Sequence, residues 1–169
     1  MEKRKWADTV AQGFIVAGLL FSQTALAVPK EISPLVRAII TVESSCRTNA
    51  VNEADGKAVK VTSYGIGQIT LATAESQCGI KNVEKLYDKA VALRCTKKIV
   101  ARLLNKYQDE TLAIAAYNLG QPCQCNGEVF RYPNGKVCGK ACSEVGSHRN
   151  AKYIDDVQKV LQSGKFCKI

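Results

Sequence analysis

The stretch ISPLVRAIITVESS, residues 32–45, decides the first element of this chain. Its apolar residues recur at spacings of three and four, which is typical of a helix with one buried face: Ile32, Leu35, Val36, Ile39 and Ile40. Glu43 falls next in the same series, and the polar run 44–49 follows it. The spacing therefore predicts a helix over residues 34–45 with a carboxylate on its inward face, close to its end.

A carboxyl group in that position has unusual chemistry. Burial and the negative end of the helix dipole both favour its protonated form. A carboxyl group that stays neutral near pH 7 is what a general acid requires, so Glu43 is a candidate catalytic acid. From spacing alone, a glutamate at the edge of the core is an equally good interpretation.

The first 27 residues have the pattern of a secretory signal peptide. Lys3, Arg4 and Lys5 precede an apolar run over 13–21, and small residues stand at 25–27. The run is short for a membrane span, so we expect no stable membrane insertion. The rest of the 169-residue chain, residues 28–169, has the length of a single domain. We therefore expect an exported product, in the periplasm or outside the cell.

The charge of the chain limits the classes of molecule that it is expected to bind. The formal net charge is +9, and it is about +8 without residues 1–27. In an exported protein this charge suits anionic wall polymers or membrane surfaces better than nucleic acid, although a self-repelling, solvated surface explains it equally well. The lysines at 97, 98, 106, 152 and 159 are most simply the polar faces of amphipathic helices.

All eight cysteines follow residue 27, which predicts four disulfides whose pairing the sequence leaves open. Cys78 and Cys95 would join successive helices. A zinc site at 123, 125, 138 and 142 is less favoured, because neither pair has the usual two-residue gap.

The remaining pattern is mainly α. Helices are predicted over 71–77, between Thr70 as N-cap and Gly79 as stop, over 99–107, over 109–118 and from Tyr153 to a stop at Gly164. Residues 121–148 break the pattern with four cysteines and a turn at 133–135, which predicts a small disulfide-stapled hairpin insertion.

Three motifs occur in a fixed order along these elements: Glu43-Ser44-Ser45, the segment SYGIGQIT at 63–70, and the segment AIAAYN at 113–118. Together with Tyr153 they resemble the soluble lytic transglycosylase (SLT) domain of the lysozyme superfamily, over residues 32–161. The resemblance implies a lysozyme-like single domain. Gly67 stands where the family has methionine and Cys46 where it has an aromatic residue, which affects the shape of the subsites more than the chemistry.

The resemblance also implies roles for residues. Glu43 would be the sole catalytic acid and base, and Ser44 would help to position the site. The remaining expected substrate-binding residues are Tyr64, Gly65, Gln68, Tyr117, Asn118 and Tyr153. Gly65 and Gly67 would let the backbone approach the sugar, and the hydroxyl of Tyr153 would bond the carboxyl of Glu43 or the substrate. Without the resemblance, these would be turn, core and helix-end residues.

The implied activity is cleavage of the β-1,4 bond between N-acetylmuramic acid and N-acetylglucosamine, with 1,6-anhydro ends. The expected partners are peptidoglycan glycan strands, with a secretion or conjugation assembly as a further one, and we expect a monomer without metal or cofactor. The nearest competing function is a hydrolytic lysozyme in which Glu53 or Asp55 activates water. Two further functions compete with the transglycosylase: a non-catalytic wall-binding protein and a Cys-His hydrolase that uses His148.

Overall fold

The computed structural model describes residues 31–53, 61–121, 124–125, 128–129 and 144–169. Within them the architecture is mainly α, as predicted. The helices are α1 (Pro34–Ser44), α2 (Leu71–Cys78), α3 (Glu84–Tyr87), α4 (Lys89–Tyr107), α5 (Glu110–Leu119) and α6 (Glu144–Ser163). The strands are β1 (Val51–Glu53), β2 (Thr62–Tyr64), β3 (Ile69–Thr70), β4 (Gln124–Cys125) and β5 (Glu128–Val129).

Local signals set the ends of α2 and α5. The side chain of Thr70 accepts a hydrogen bond from the backbone of Thr73, and Gly79 closes α2 with φ 72°. Asp109 caps α5 in the same way, and Gly120 closes it with φ 78°. These boundaries confirm the predicted ones. Helix α4 begins ten residues before the predicted start, because Asp88 caps it through the backbone of Val91.

A small antiparallel sheet follows α1, in the order β1-β2-β3. Val51 pairs with Tyr64, and Ser63 pairs with Thr70. The sequence predicted only a polar, glycine-containing stretch here. Strands of two or three residues are too short to show the alternation that identifies a strand. The sheet brings the 63–70 segment back beside the end of α1.

The predicted stripe of α1 forms the core. Leu35, Val36, Ile39 and Ile40 are buried and pack with residues of α4, α5 and α6, among them Ile114, Ile154 and Val157. A second buried cluster lies under α2, where Ile69, Ala74 and Leu86 meet Cys95 and Ile99 of α4. Helix α1 therefore lies against α6, and α4 links the two clusters.

Two disulfides join described residues. Cys78–Cys95 connects α2 to α4, which is one of the pairings that the sequence left open, and Cys46–Cys167 connects the end of α1 to the tail after α6. The side chains of the other four cysteines lie outside the described residues, so the two further predicted disulfides stay predictions.

Residues Glu31–Ile169 form one unit, and the signal peptide predicted over 1–27 lies outside the described residues. So does the hairpin turn predicted at 133–135, whereas the backbone of β4 and β5 forms a pair around 126–127. The last helix begins at Glu144, inside the segment predicted as an insertion. His148 therefore lies within α6, although the sequence predicted that this helix begins only at Tyr153.

Candidate active site

Glu43 is the penultimate residue of α1, where its carboxyl is half-buried. Ser33 caps the start of this helix and Pro34 occupies its first turn, so α1 has a fixed direction toward its C-terminal end. Burial raises the pKa of Glu43 to about 7, although the hydrogen bond from Tyr153 acts in the opposite direction. The predicted inward carboxyl with a raised pKa is therefore present.

Tyr153 holds this carboxyl from α6. Its hydroxyl donates a hydrogen bond of 2.6 Å to Oε1 of Glu43, across 110 residues of sequence. The ring is buried, and burial followed by the negative charge of Glu43 raises the pKa of Tyr153 well above its ordinary value. Tyr153 therefore stays protonated as a hydrogen-bond donor throughout the physiological range.

Tyr117 of α5 lies near both groups. Its hydroxyl donates to the carbonyl oxygen of Gly67 at 2.7 Å. Burial raises its pKa first, the charge of Glu43 raises it further, and the side-chain hydrogen bond with Thr96 acts against them. The structure thus places two neutral phenols around one titratable carboxyl.

Thr96 is a member of this network that the sequence reasoning missed. It is fully buried on α4, its hydroxyl donates to the carbonyl of Ala92 at 2.9 Å, and its side chain lies beside the hydroxyl of Tyr117. The signal was available. Extending the apolar face of α4 back from Ile99 would have shown a polar residue on that face, by the same pattern that identified Glu43.

Ser44 and Gln68 support the site from inside. Ser44 is buried and its hydroxyl donates to the carbonyl of Ile66 at 2.8 Å, which ties α1 to the 63–70 segment. Gln68 donates to the carbonyls of Gly65 and Ala50 and accepts from the hydroxyl of Ser63. The donors and the acceptor of its amide are therefore used within the protein, and both residues act as braces.

Gly65 and Gly67 lie at positions where a side chain would clash with the rest of the protein. Both are buried, and a Cβ on Gly65 would lie 1.9 Å from the carbonyl oxygen of Leu86, while one on Gly67 would lie 2.1 Å from Oγ1 of Thr96. The space of each missing side chain is thus filled by protein. Close packing inside the domain therefore accounts for both glycines, and the approach of sugar to this backbone stays a prediction.

The last two predicted residues, Tyr64 and Asn118, contact residues other than Glu43. Tyr64 is half-buried and meets the ring of Tyr87 edge to face, at 6.2 Å between ring centres. Asn118 is exposed at the end of α5, and its Oδ1 accepts from Asn150 at 3.4 Å. Asn150, which the sequence reasoning did not identify, is buried and also donates to the carbonyl of Ala115, so it docks α6 on α5.

The chain after Glu43 is held in a strained shape. Ser45 and Cys46 both have positive φ, 52° and 64°, which non-glycine residues rarely adopt. Cys46 is bonded to Cys167, whose backbone N–H donates to Oγ1 of Thr41 at 3.1 Å. Covalent and hydrogen-bond contacts with the tail therefore fix the end of the helix that carries the acid.

In the described part of the chain, no group of three or more His, Cys, Asp or Glu side chains is arranged to hold a metal ion. The zinc interpretation concerned cysteines whose side chains are outside that part. No helix of the described residues is both long and apolar enough to cross a membrane.

Comparison with known proteins identifies the family. The family model described as transglycosylase SLT domain matches residues 22–131, which is more than half of the chain. A solved structure of a Bd0314 DslA mutant is similar at 19% identity and a TM-score of 0.43, with 79% of this chain and 66% of that chain covered. The match thus spans slightly less than two thirds of that protein. No curated protein matches the chain significantly. The match over α1 to α5 includes Glu43 and the 63–70 segment, and the chain therefore belongs to the transglycosylase SLT domain family.

Proposed function

We propose that this protein is an exported peptidoglycan lytic transglycosylase that cleaves the β-1,4 bond between N-acetylmuramic acid and N-acetylglucosamine. Family membership supports lytic transglycosylase activity on peptidoglycan in general. One observation supports a specific catalytic residue. Glu43 has a half-buried carboxyl with a pKa of about 7, and this carboxyl accepts a hydrogen bond from Tyr153. Such a group has both protonation states available near neutral pH, so it can serve as acid and then as base.

In the first step, protonated Glu43 donates its proton to the glycosidic oxygen as the bond to C1 breaks. The resulting carboxylate is the form that the Tyr153 hydroxyl stabilises, because a hydrogen bond to the charged form lowers the pKa. The carboxylate then takes the proton of the C6 hydroxyl of the muramyl residue while that oxygen attacks C1. The product is a 1,6-anhydro ring, and Glu43 is protonated again.

The geometry supports a lone carboxyl over a pair. Glycosidases that use two carboxylates place them about 5–10 Å apart, according to mechanism. Burial is the cause that raises the pKa of Glu43, so this shift is accounted for without the charge of a second carboxylate. Glu53 is exposed on β1, and Asp55 lies outside the described residues. The intramolecular hydroxyl removes the need for a positioned water.

The remaining expected residues have graded roles in this proposal. Tyr153 and Tyr117 surround the reacting carboxyl, and Asn118 is exposed and available to the glycan. Ser44, Gly65 and Gln68 act through the backbone that they brace. Tyr64 contributes a partly exposed ring at the sheet. The insertion that begins after α5 is proposed to border the cleft, and cleavage of a leader over 1–27 is part of the proposal.

Product analysis tests the proposal. Purified peptidoglycan is digested, and the muramyl ends are identified by mass spectrometry. We expect 1,6-anhydro ends, and reducing ends without anhydro products would establish the hydrolytic lysozyme instead. Glu43→Gln should lower the rate by about 10²–10⁴, the usual contribution of acid-base catalysis. Glu53→Gln and Asp55→Asn serve as matched controls and should keep both rate and product.

The biological setting is a further prediction. An enzyme of this kind would open the wall locally for a secretion or conjugation assembly. Deleting the gene in a cell that carries such an assembly should reduce transfer, and the Glu43→Gln form should fail to restore it. Restoration by that inactive form would contradict the wall-opening role.

A further inference from the structure

Helix α4 has an unusual distribution of charge. Residues 89–108 contain six Lys or Arg residues and no Asp or Glu. Four of the cations are spaced by four residues and are exposed, and we call them the α4 basic stripe: Arg94, Lys98, Arg102 and Lys106. Since residues four apart are neighbours on a helix, each cation faces another cation. The stripe is about 18 Å long at 1.5 Å per residue.

The stripe is not neutralised by the described part of the protein. None of its members forms an ion pair there, whereas Lys152 of α6 is paired with Asp156. Arg102 bonds the neutral amide of Gln77, and Lys106 lies over the ring of Tyr107. The acids that flank the helix are used as caps: Asp88 accepts from the backbone of Val91 and Asp109 from that of Leu112. A row of repelling cations without an acidic partner among the described residues suits an external polyanion.

The first half of the stripe, Arg94 and Lys98, faces away from the candidate active site. Thr96, whose side chain lies beside the hydroxyl of Tyr117 near Glu43, marks the site-facing side of α4. Arg94 and Lys98 are two residues on either side of it, so each lies about 160° around the helix axis from Thr96. The burial agrees, since Cys95, Thr96 and Ile99 are buried while the stripe is exposed. A glycan strand bound at Glu43 would therefore have to cross to the opposite face to reach the stripe.

We infer that the α4 basic stripe is a peripheral docking surface for a bilayer that carries anionic phospholipid headgroups. A flat anionic surface can contact Arg94 and Lys98 at once, with Arg102 about 40° further around the helix, and it would leave the Glu43 side facing the wall. The large exposed apolar residues of the described chain, Val51, Val61 and Leu119, lie outside α4. The contact is therefore electrostatic, at the level of the headgroups, and weakens with salt. The choice of lipid over glycan rests on the proposed function, because it uses the position of the active site.

Vesicle co-sedimentation tests the inference. Phosphatidylcholine vesicles with and without phosphatidylglycerol are mixed with wild type, with the stripe variant Arg94→Gln/Lys98→Gln and with the control Lys159→Gln/Lys168→Gln. The control loses the same charge at exposed positions away from α4. All forms are made from the full chain and checked by mass spectrometry for the same N-terminus, so residues 1–30 contribute equally.

We expect wild type to bind only the anionic vesicles and to be released by salt. The stripe variant should bind about 25-fold more weakly, at about fivefold per cation, and the control less than threefold more weakly. Equal losses in both variants, or no binding by wild type, would overturn the inference. So would a stripe variant that loses binding to purified peptidoglycan while keeping vesicle binding.

Cleavage of lipid-free peptidoglycan is measured with the same proteins. Both variants should digest it at the wild-type rate, with unchanged thermal unfolding. A wild type that binds vesicles without producing anhydro ends would contradict the proposed enzyme function and leave the docking surface standing. A wild type that produces anhydro ends but does not bind vesicles would contradict the docking surface and leave the enzyme function standing. The two failures are therefore distinguishable.

Discussion

Replacing Glu43 with glutamine should change the stability of the protein in a strongly pH-dependent way. An unfolded glutamate has a pKa near 4.5, and burial raises the pKa of Glu43 to about 7 in the folded state. The difference of about 2.5 pKa units corresponds to about 3 kcal/mol, since one unit is about 1.4 kcal/mol. The folded wild type should therefore lose about 3 kcal/mol at this single site once the carboxyl ionises.

The sign follows from linkage. Because the folded pKa is higher than the unfolded one, the folded state binds more protons between pH 4.5 and 7. The favourable contribution is complete below pH 4.5 and is lost as the pH rises to about 7. Glutamine cannot ionise and keeps an acceptor for the hydroxyl of Tyr153. The variant should thus gain about 3 kcal/mol relative to wild type between pH 4 and pH 8.

Urea unfolding with intact disulfides at several pH values measures this difference directly. Other carboxylates titrate identically in both proteins, so they cancel in the comparison. Glu75→Gln, at an exposed position of α2, removes the same charge and is the matched control. A Glu43→Gln difference that stays constant from pH 4 to pH 8, or that follows the control, would refute the raised pKa and with it the argument for the acid.

Three further outcomes test the supporting contacts. Tyr153→Phe removes the donor that stabilises the ionised acid, so turnover should fall by about 10- to 100-fold and the alkaline limb of the pH profile should move to higher pH; a limb that stays in place would contradict this role. Gly65→Ala and Gly79→Ala share a positive φ, but only the first places a Cβ against a carbonyl. In urea unfolding, Gly65→Ala should cost about 1–3 kcal/mol more than Gly79→Ala, and equal costs would contradict the close packing. Replacing both cysteines of Cys46–Cys167 by serine should cost about 5 kcal/mol, against about 3 kcal/mol for Cys78–Cys95, because the loops span 121 and 17 residues. Equal losses in thermal unfolding would argue against the loop-length account.

The accuracy with which the sequence predicts the structure differs between helices. Caps such as Thr70 and Gly79 act within one helical turn, so the ends of α2 were readable in advance. The periodicity of α1 likewise placed Glu43 on the core side. The start of α6 was missed because Gly146 and Ser147 are poor helix formers, although the helix runs through them.

In the candidate active site too, local features were predictable from the sequence and long-range contacts were not. The type and position of the acid came from local spacing, but its partner lies 110 residues away, beyond any periodic pattern. Only the resemblance to a known family pointed to Tyr153. The glycines of the 63–70 segment were noticed, yet the atoms that exclude a side chain there belong to Leu86 and Thr96, on other helices. Long-range packing, which a single sequence does not display, sets these requirements.

The separation between α1 and its partners has a consequence for timing. A chain made from its N-terminus presents Glu43 early, but Tyr153 follows 110 residues later, and Cys167 follows Cys46 by 121 residues. Contacts so distant in sequence form late in folding, because the intervening chain must be organised first. Until then the acid has neither its hydroxyl donor nor a fixed helix end. The part of the site that is made first is therefore the last to be finished, and the site is complete only when almost the whole described chain is present.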